Sequence, residues 1–160
     1  MDAKKPKSPA DSAVESRYVL MPQDANHLGT AFGGTIVSWI DMIAGMAATR
    51  HCGMTTVTAG IDSISFLTPI YIGEQVLIKS RVNYVGRTSL EVGVQVTKEN
   101  PATGEVSKAT SAFLTFVALD GNRKPAKVPE LILVTDEDRR RNENAKLRVL
   151  SRKDLIRKIG

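Results

Sequence analysis

From Thr35 to Arg50 the chain runs TIVSWIDMIAGMAATR, in which almost every residue is apolar or small. Ile36, Val37, Trp39, Ile40, Met42, Ile43 and Met46 point in nearly every direction around a helical axis. A helix that is apolar all round is expected to be covered all round, and about 15 residues is too short to span a bilayer. The flanking segments follow a period of two instead. Arg17 to Met21 reads as a short strand stopped by Pro22. Val57, Ala59 and Ile61 alternate with polar or small residues, and Ile64 and Phe66 continue on a shifted phase, which predicts a bulge or bend at Asp62-Ser63. Three further alternating runs follow, around Val76 to Tyr84, Leu90 to Val96 and Ala109 to Val117. Gly86-Arg87, Asn100 to Gly104 and Asp120-Gly121-Asn122 punctuate them as turns. A strand, a loop, a long buried helix and four antiparallel strands predict an α+β fold, with one antiparallel sheet wrapped around one long central helix.

The ends differ from this body. Residues 1–16 are rich in Lys, Pro, Ser and Ala and are expected to be disordered. Residues 17–130 form the single folded domain. Residues 131–160 form a basic helical extension, opened by a Thr135 N-cap with Asp138 at the capping-box position. Leu147, Leu150, Leu155, Ile156 and Ile159 are sparse among its Arg and Lys, as in a largely solvated helix packed on the body or on a neighbouring subunit. A basic arm for membrane or nucleic acid is the alternative.

The net charge of +5 sits in that extension: residues 136–160 carry +4, residues 1–17 carry +1, and the body between them is neutral. A neutral body excludes nucleic acid as the expected partner, since the basic patch of a nucleic-acid domain lies on the folded surface. The single cysteine, Cys52, excludes an intramolecular disulfide and a cysteine-built metal site. No apolar run reaches membrane-spanning length, and the first 17 residues lack the apolar core of a secretory signal. A cytoplasmic protein without a transmembrane segment is the expectation.

Asp41 is the anomaly. It interrupts the apolar helix between Ile40 and Met42, where an unpaired buried carboxylate costs several kcal/mol. It is either a polar spot paired across an interface or a carboxylate poised at a cleft as general base or nucleophile. Asn26, His27, Gly33 and Gly34 lie in the loop entering the helix. Glycines at a helix start let a substrate approach backbone N–H groups, so Gly33-Gly34-Thr35 is a candidate oxyanion hole. Gly86-Arg87-Thr88-Ser89 is a hairpin turn or, alternatively, a place where Arg87 and two hydroxyls meet an anionic group. His27 and His51 are too far apart in sequence, without a third ligand, to predict a metal site. Cys52 reads as a buried, inert thiol.

Taken together, Asn26-His27-Leu28-Gly29, Phe32-Gly33-Gly34, Asp41, Phe66-Leu67-Thr68-Pro69-Ile70, Gly73-Glu74 and Gly86-Arg87-Thr88-Ser89 resemble the hotdog-fold acyl-CoA thioester hydrolases, in the branch of the bacterial broad-range and brain-type enzymes. The resemblance runs from about Tyr18 to Pro129. It implies hydrolysis of acyl-CoA to free fatty acid and CoA, with no cofactor beyond the CoA of the substrate. It further implies a homodimer with active sites at the interface, assembled in many members as trimers of dimers. On that model Asp41 is the catalytic carboxylate and Asn26 holds the thioester or water from the facing subunit. Gly34 N–H binds the thioester oxygen, with Gly33 and His27 beside it, and Arg87, Thr88 and Ser89 lie toward the CoA nucleotide. Two other readings compete: a hotdog hydratase or dehydratase pairing His27 with Asp41, and a non-catalytic acyl-CoA-binding sensor.

Overall fold

The structure, a computed structural model, describes residues 4–160. Its elements are a single helical turn α1 (Pro9–Ser12), β1 (Val14–Val19), the long helix α2 (Gly33–Cys52), β2 (Thr55–Ile61), β3 (Gln75–Val85), β4 (Ser89–Glu99), β5 (Val106–Leu119) and a second long helix α3 (Asp136–Ile159). The five strands form one antiparallel sheet in the order β1-β3-β4-β5-β2. The expected topology of one sheet against one central helix is the observed one.

Helix α2 lies on one face of the sheet. Ile36, Ile40, Ile43, Ala44 and Ala47 are buried against Val76, Ile78, Val92, Leu114 and Phe116. The Trp39 ring stacks on Tyr18 of β1, with centroids 4.4 Å apart. Small Ala and Gly positions let the helix axis approach the sheet. Gly53 ends the helix in the left-handed conformation, φ 62°, with its N–H donating to the Thr49 carbonyl; a side chain there would be strained.

The structure departs from the sequence reading in four places. Residues 4–16 are not featureless. Ser8 caps α1, Lys7 bridges to Leu131, and β1 begins at Val14, pairing with β3; Met1 to Ala3 lie outside the described residues. Helix α2 is not covered all round, because Met42 and Met46 are about half exposed. Ile64 and Phe66 do not continue a strand: β2 stops at Ile61, and its irregularity falls between Thr58 and Gly60. The phase of β2 is inverted, since Val57 and Ile61 are exposed while Thr58 turns toward Asp41 on α2. A half-covered edge strand accounts for the inversion, because its apolar side chains have no layer of this chain to pack on.

Helix α3 packs across the opposite face of the sheet. Its start matches the expected capping box: the Thr135 hydroxyl accepts from Asp138 N–H at 3.0 Å, and Asp138 Oδ2 accepts from Thr135 N–H at 3.1 Å. Burial alone would raise the Asp138 carboxyl, but the N–H groups of Thr135 and Val134, the Thr135 hydroxyl and the Arg81 guanidinium outweigh it and hold the group below its ordinary value. Further along, Arg148 grips Glu91 at 2.8 and 3.0 Å and lies over the Phe113 ring at 3.6 Å. Arg152 pairs with Asp62 at 2.8 Å and also with Glu91. Covered by α2 on one side and by α3 on the other, the run Leu90 to Val94 is buried at every residue. Up to Arg152, α3 packs on the body, one of the two expected placements, as a second layer rather than as a largely solvated helix. After Arg152 every residue is exposed.

Candidate active site

Asp41 sits three turns before the end of α2, half-buried, and lines a cleft of about 650 Å³. Met42, Met46, Val14 and Phe116 give this cleft apolar walls, and Gly45 lines it beside them. Thr56 and Thr58 form the β2 side. Thr58 donates its hydroxyl hydrogen to Asp41 Oδ1 at 2.7 Å, while Oδ2 has no hydrogen bond from the described residues. The Thr49 and Thr56 hydroxyls pair at 3.0 Å across the same helix–strand gap. Arg50 closes one end, its guanidinium anchored by the Ala13 carbonyl at 2.8 Å. A carboxylate with one oxygen fixed and the other free, beside apolar walls, can accept a proton from water or attack an acyl carbon.

The loop entering α2 is built around Asn26. Its Oδ1 accepts from Leu28 N–H at 2.9 Å and Thr30 N–H at 3.3 Å, and its Nδ2 donates to the Thr30 hydroxyl at 3.0 Å. These bonds hold an Asx-type turn that exposes His27. Gly33 and Gly34 open the helix, so their N–H groups have no acceptor within it. An added Cβ at 34 would lie 2.7 Å from the exposed Phe32 ring, which would have to move aside. The seven residues from Gly34 to Asp41 place both on one helical face, about 10 Å apart along the axis.

Arg87, Thr88 and Ser89 are elsewhere. They form the β3–β4 turn, tied to the following chain by Ala118 N–H to the Thr88 carbonyl at 3.0 Å and Val128 N–H to the Arg87 carbonyl at 2.8 Å. They line a separate cleft of about 370 Å³ on the α3 side of the sheet. The chain thus brings Asp41 together with Thr58, which was not anticipated from sequence, but does not join either to Asn26, His27 or the Arg87 turn. His27 makes no hydrogen bond to Asp41. His51 is buried, with Nε2 donating to the Pro129 carbonyl at 2.9 Å, and burial lowers its pKa. Burial pushes the Cys52 thiol up to about 11, as for an inert side chain. Among the described residues no His, Cys, Asp and Glu side chains cluster in the manner of metal ligands.

The model of the Thioesterase superfamily matches residues 28–105. The Bacillus subtilis protein YkhA, named an uncharacterized acyl-CoA thioester hydrolase, is 44% identical over 147 residues, covering 92% of this chain and 86% of its own. This chain belongs to the thioesterase superfamily. Among solved structures, an apo-hexameric acyl-CoA thioesterase superposes with a TM-score of 0.91 at 38% identity, covering 94% of this chain and 97% of that one. The acyl-CoA hydrolase of Staphylococcus aureus, solved with butyryl-CoA, CoA and CoA disulfide, gives 0.89 at 36% identity over 96% and 94%. That enzyme has also been solved with an asparagine, an aspartate or a threonine changed to alanine. Those three positions are spaced fifteen and seventeen residues apart, as Asn26, Asp41 and Thr58 are in this thioesterase-family chain. The hotdog fold is thereby established. No helix among the described residues of this family member is long and apolar enough to cross a membrane.

Proposed function

We propose that this chain hydrolyses acyl-CoA thioesters to free fatty acid and CoA, with Asp41 as the reacting carboxylate and Thr58 as the residue that aims it. The observation that carries the reading is the Thr58–Asp41 hydrogen bond at 2.7 Å inside an apolar-walled cleft. A thioester is an activated acyl group, so a positioned carboxylate and an oxyanion hole suffice. As a base, Asp41 takes a proton from water, the water oxygen bonds to the acyl carbon, and the carbon–sulfur bond breaks to release CoA thiolate. As a nucleophile, Asp41 bonds to that carbon as the carbon–sulfur bond breaks and CoA thiolate leaves, and water then cleaves the resulting anhydride to fatty acid and the free Asp41 carboxylate. Both routes start from the ionised carboxylate. The S. aureus variants support a shared role for Asn26, Asp41 and Thr58 through their common spacing.

The site is completed by a second copy of the chain. Gly34 N–H lies about 10 Å from Asp41 on its own helix, and β2 is an edge strand whose exposed Val57 and Ile61 flank the same opening. A contiguous apolar rim around a polar centre fits a subunit interface, and the facing helix start then supplies the oxyanion donors. Trimers of such dimers agree with the hexameric relative.

Thiol release followed across acyl-CoAs of roughly two to eighteen carbons, a range that brackets the slot depth, tests the reading. Wild type turns over at least part of the series, and Asp41→Asn loses about 10²–10⁴-fold in kcat with unchanged assembly and melting temperature. Tight acyl-CoA binding without thiol release, or wild-type kcat in Asp41→Asn, overturns it.

A further inference from the structure

A buried ion pair lies outside both clefts described above. Lys98 on β4 and Glu74, just before β3, are each less than a tenth exposed, with Lys98 Nζ 3.1 Å from Glu74 Oε1. Lys98 continues the inward face of β4 after Val92, Val94 and Val96, where an apolar residue would carry on the pattern. As a stability device such a pair is weak, because desolvating two charges offsets most of their attraction. Its hydrogen bonds show a more specific use. Lys98 Nζ also donates to the Pro69 carbonyl and stands 5.1 Å from the centre of the Tyr71 ring. Glu74 Oε1 accepts from Tyr71 N–H at 2.8 Å as well. The ammonium and the carboxylate therefore hold residues 69–71 at both ends.

That segment is the neighbour of the loop entering α2. Ala31 N–H donates to the Ile70 carbonyl at 2.8 Å, Ile72 N–H donates to the Gly29 carbonyl at 3.3 Å, and Thr30 bridges to Tyr71. Thr30 is in turn the residue that Asn26 clasps, through Asn26 N–H to the Thr30 carbonyl at 2.8 Å and Asn26 Nδ2 to the Thr30 hydroxyl at 3.0 Å. Ala31 stands two residues before Gly33, which opens the helix. One hydrogen-bonded step thus leads from the ion pair to residues 69–71, and a second leads from there to the Asn26 turn and the start of α2.

We propose that Lys98 and Glu74 are positioning residues for the hydrolysis: they fix residues 69–71, and through them the place of Asn26 and of the Gly33 and Gly34 N–H groups relative to the acyl carbonyl. This rests on the reading of the chain as an acyl-CoA hydrolase, and neither side chain touches the substrate in it. An apolar pair would fill the same space but let the segment slide, since the hydrophobic effect has no direction. Charge-assisted hydrogen bonds are short and directional, so they fix the segment along its length. A misplacement of about 1 Å that starts far from the chemistry costs on the order of 10²-fold in rate. It acts on the reacting carbonyl and not on the hold over the CoA body, so the loss falls on kcat.

The test uses the full chain with both charges removed, Lys98→Met with Glu74→Gln, which leaves no buried charge alone and keeps an acceptor for Tyr71 N–H. With butyryl-CoA, kcat falls at least tenfold while KM stays within twofold of wild type. Hydrogen exchange at the Ala31 amide, which reads its bond to Ile70 without any reaction, quickens at least tenfold. Lys98→Arg, which keeps the cation and its donors, recovers most of both losses. Should the double variant not fold, Glu74→Gln alone keeps the shape of the site and is read in the same two measurements, with changes in the same direction. A fall in melting temperature with wild-type kcat makes the pair a purely structural one and overturns the proposal. So does a loss confined to KM, or unchanged exchange at Ala31. Each of these leaves the hydrolase reading intact, whereas a wild type that releases no thiol from any acyl-CoA sinks that reading and the proposal with it.

Discussion

Asp41 and Thr58 form a hydrogen-bonded pair, and the proposed function gives them different tasks. In that proposal the carboxylate reacts, and the hydroxyl holds one of its oxygens at 2.7 Å. Thr58→Ala frees the carboxylate to rotate, and a displacement of about 1 Å costs on the order of 10²-fold in rate. The expected outcome is a drop of that size in kcat with KM nearly unchanged, and recovery of most of it in Thr58→Ser, which keeps the donor. A loss confined to KM would assign Thr58 to binding instead. Asp41 was legible in the sequence because a carboxylate inside an apolar helix has no packing reason to be there. Thr58 was not, because a threonine in Thr55-Thr56-Val57-Thr58 is an ordinary strand residue. Its meaning comes only from a partner seventeen residues earlier in the chain.

At the scale of elements, the sheet is clamped between two helices by different forces. On the α2 side the contact is apolar and close-packed. On the α3 side the centre is Glu91, 1% exposed and shared by Arg148 and Arg152, which remain about a quarter exposed. Removing one member of a buried pair leaves the other charges uncompensated. Partial exposure of the arginines lowers that cost, so Glu91→Ala is expected to destabilise by about 2–4 kcal/mol. At roughly 2–4 °C per kcal/mol for a chain of this size, thermal unfolding reads this as a clear fall in melting temperature. A melting temperature within a degree of wild type would remove the ion-pair centre as the clamp. In the sequence Glu91 alternates with Leu90 and Val92, the pattern of a solvent-facing charge on a half-buried strand. The covering helix begins some 45 residues later, beyond the reach of any period-two argument.

At the scale of the whole molecule, the surface around the Asp41 cleft is open and apolar. Met42, Met46, Val57 and Ile61 are exposed beside it, and β2 presents an unpaired edge. A lysine on this edge opposes pairing with another copy. Val57→Lys is expected to lower the assembly to smaller species in sedimentation velocity, with at least a tenfold loss of thiol release in parallel. A smaller species with full turnover would show that one chain holds a complete site.

Local pattern determined a great deal by itself: the five strands, the central helix, the hairpin turns, the Thr135 capping box and the singular Asp41 all follow from residue periodicity and turn chemistry within short windows. The tertiary structure alone decided which face each strand turns inward at the edge of the sheet. It decided the order of residues 4–16, the partner of Asp41, and the second layer that α3 builds behind Glu91. The physical reason is one of range. Propensity and amphipathic period act between neighbours in the chain, whereas burial of an edge, an ion pair or a site wall depends on what a distant segment places opposite. For Val57 and Ile61 no described segment of this chain supplies that surface.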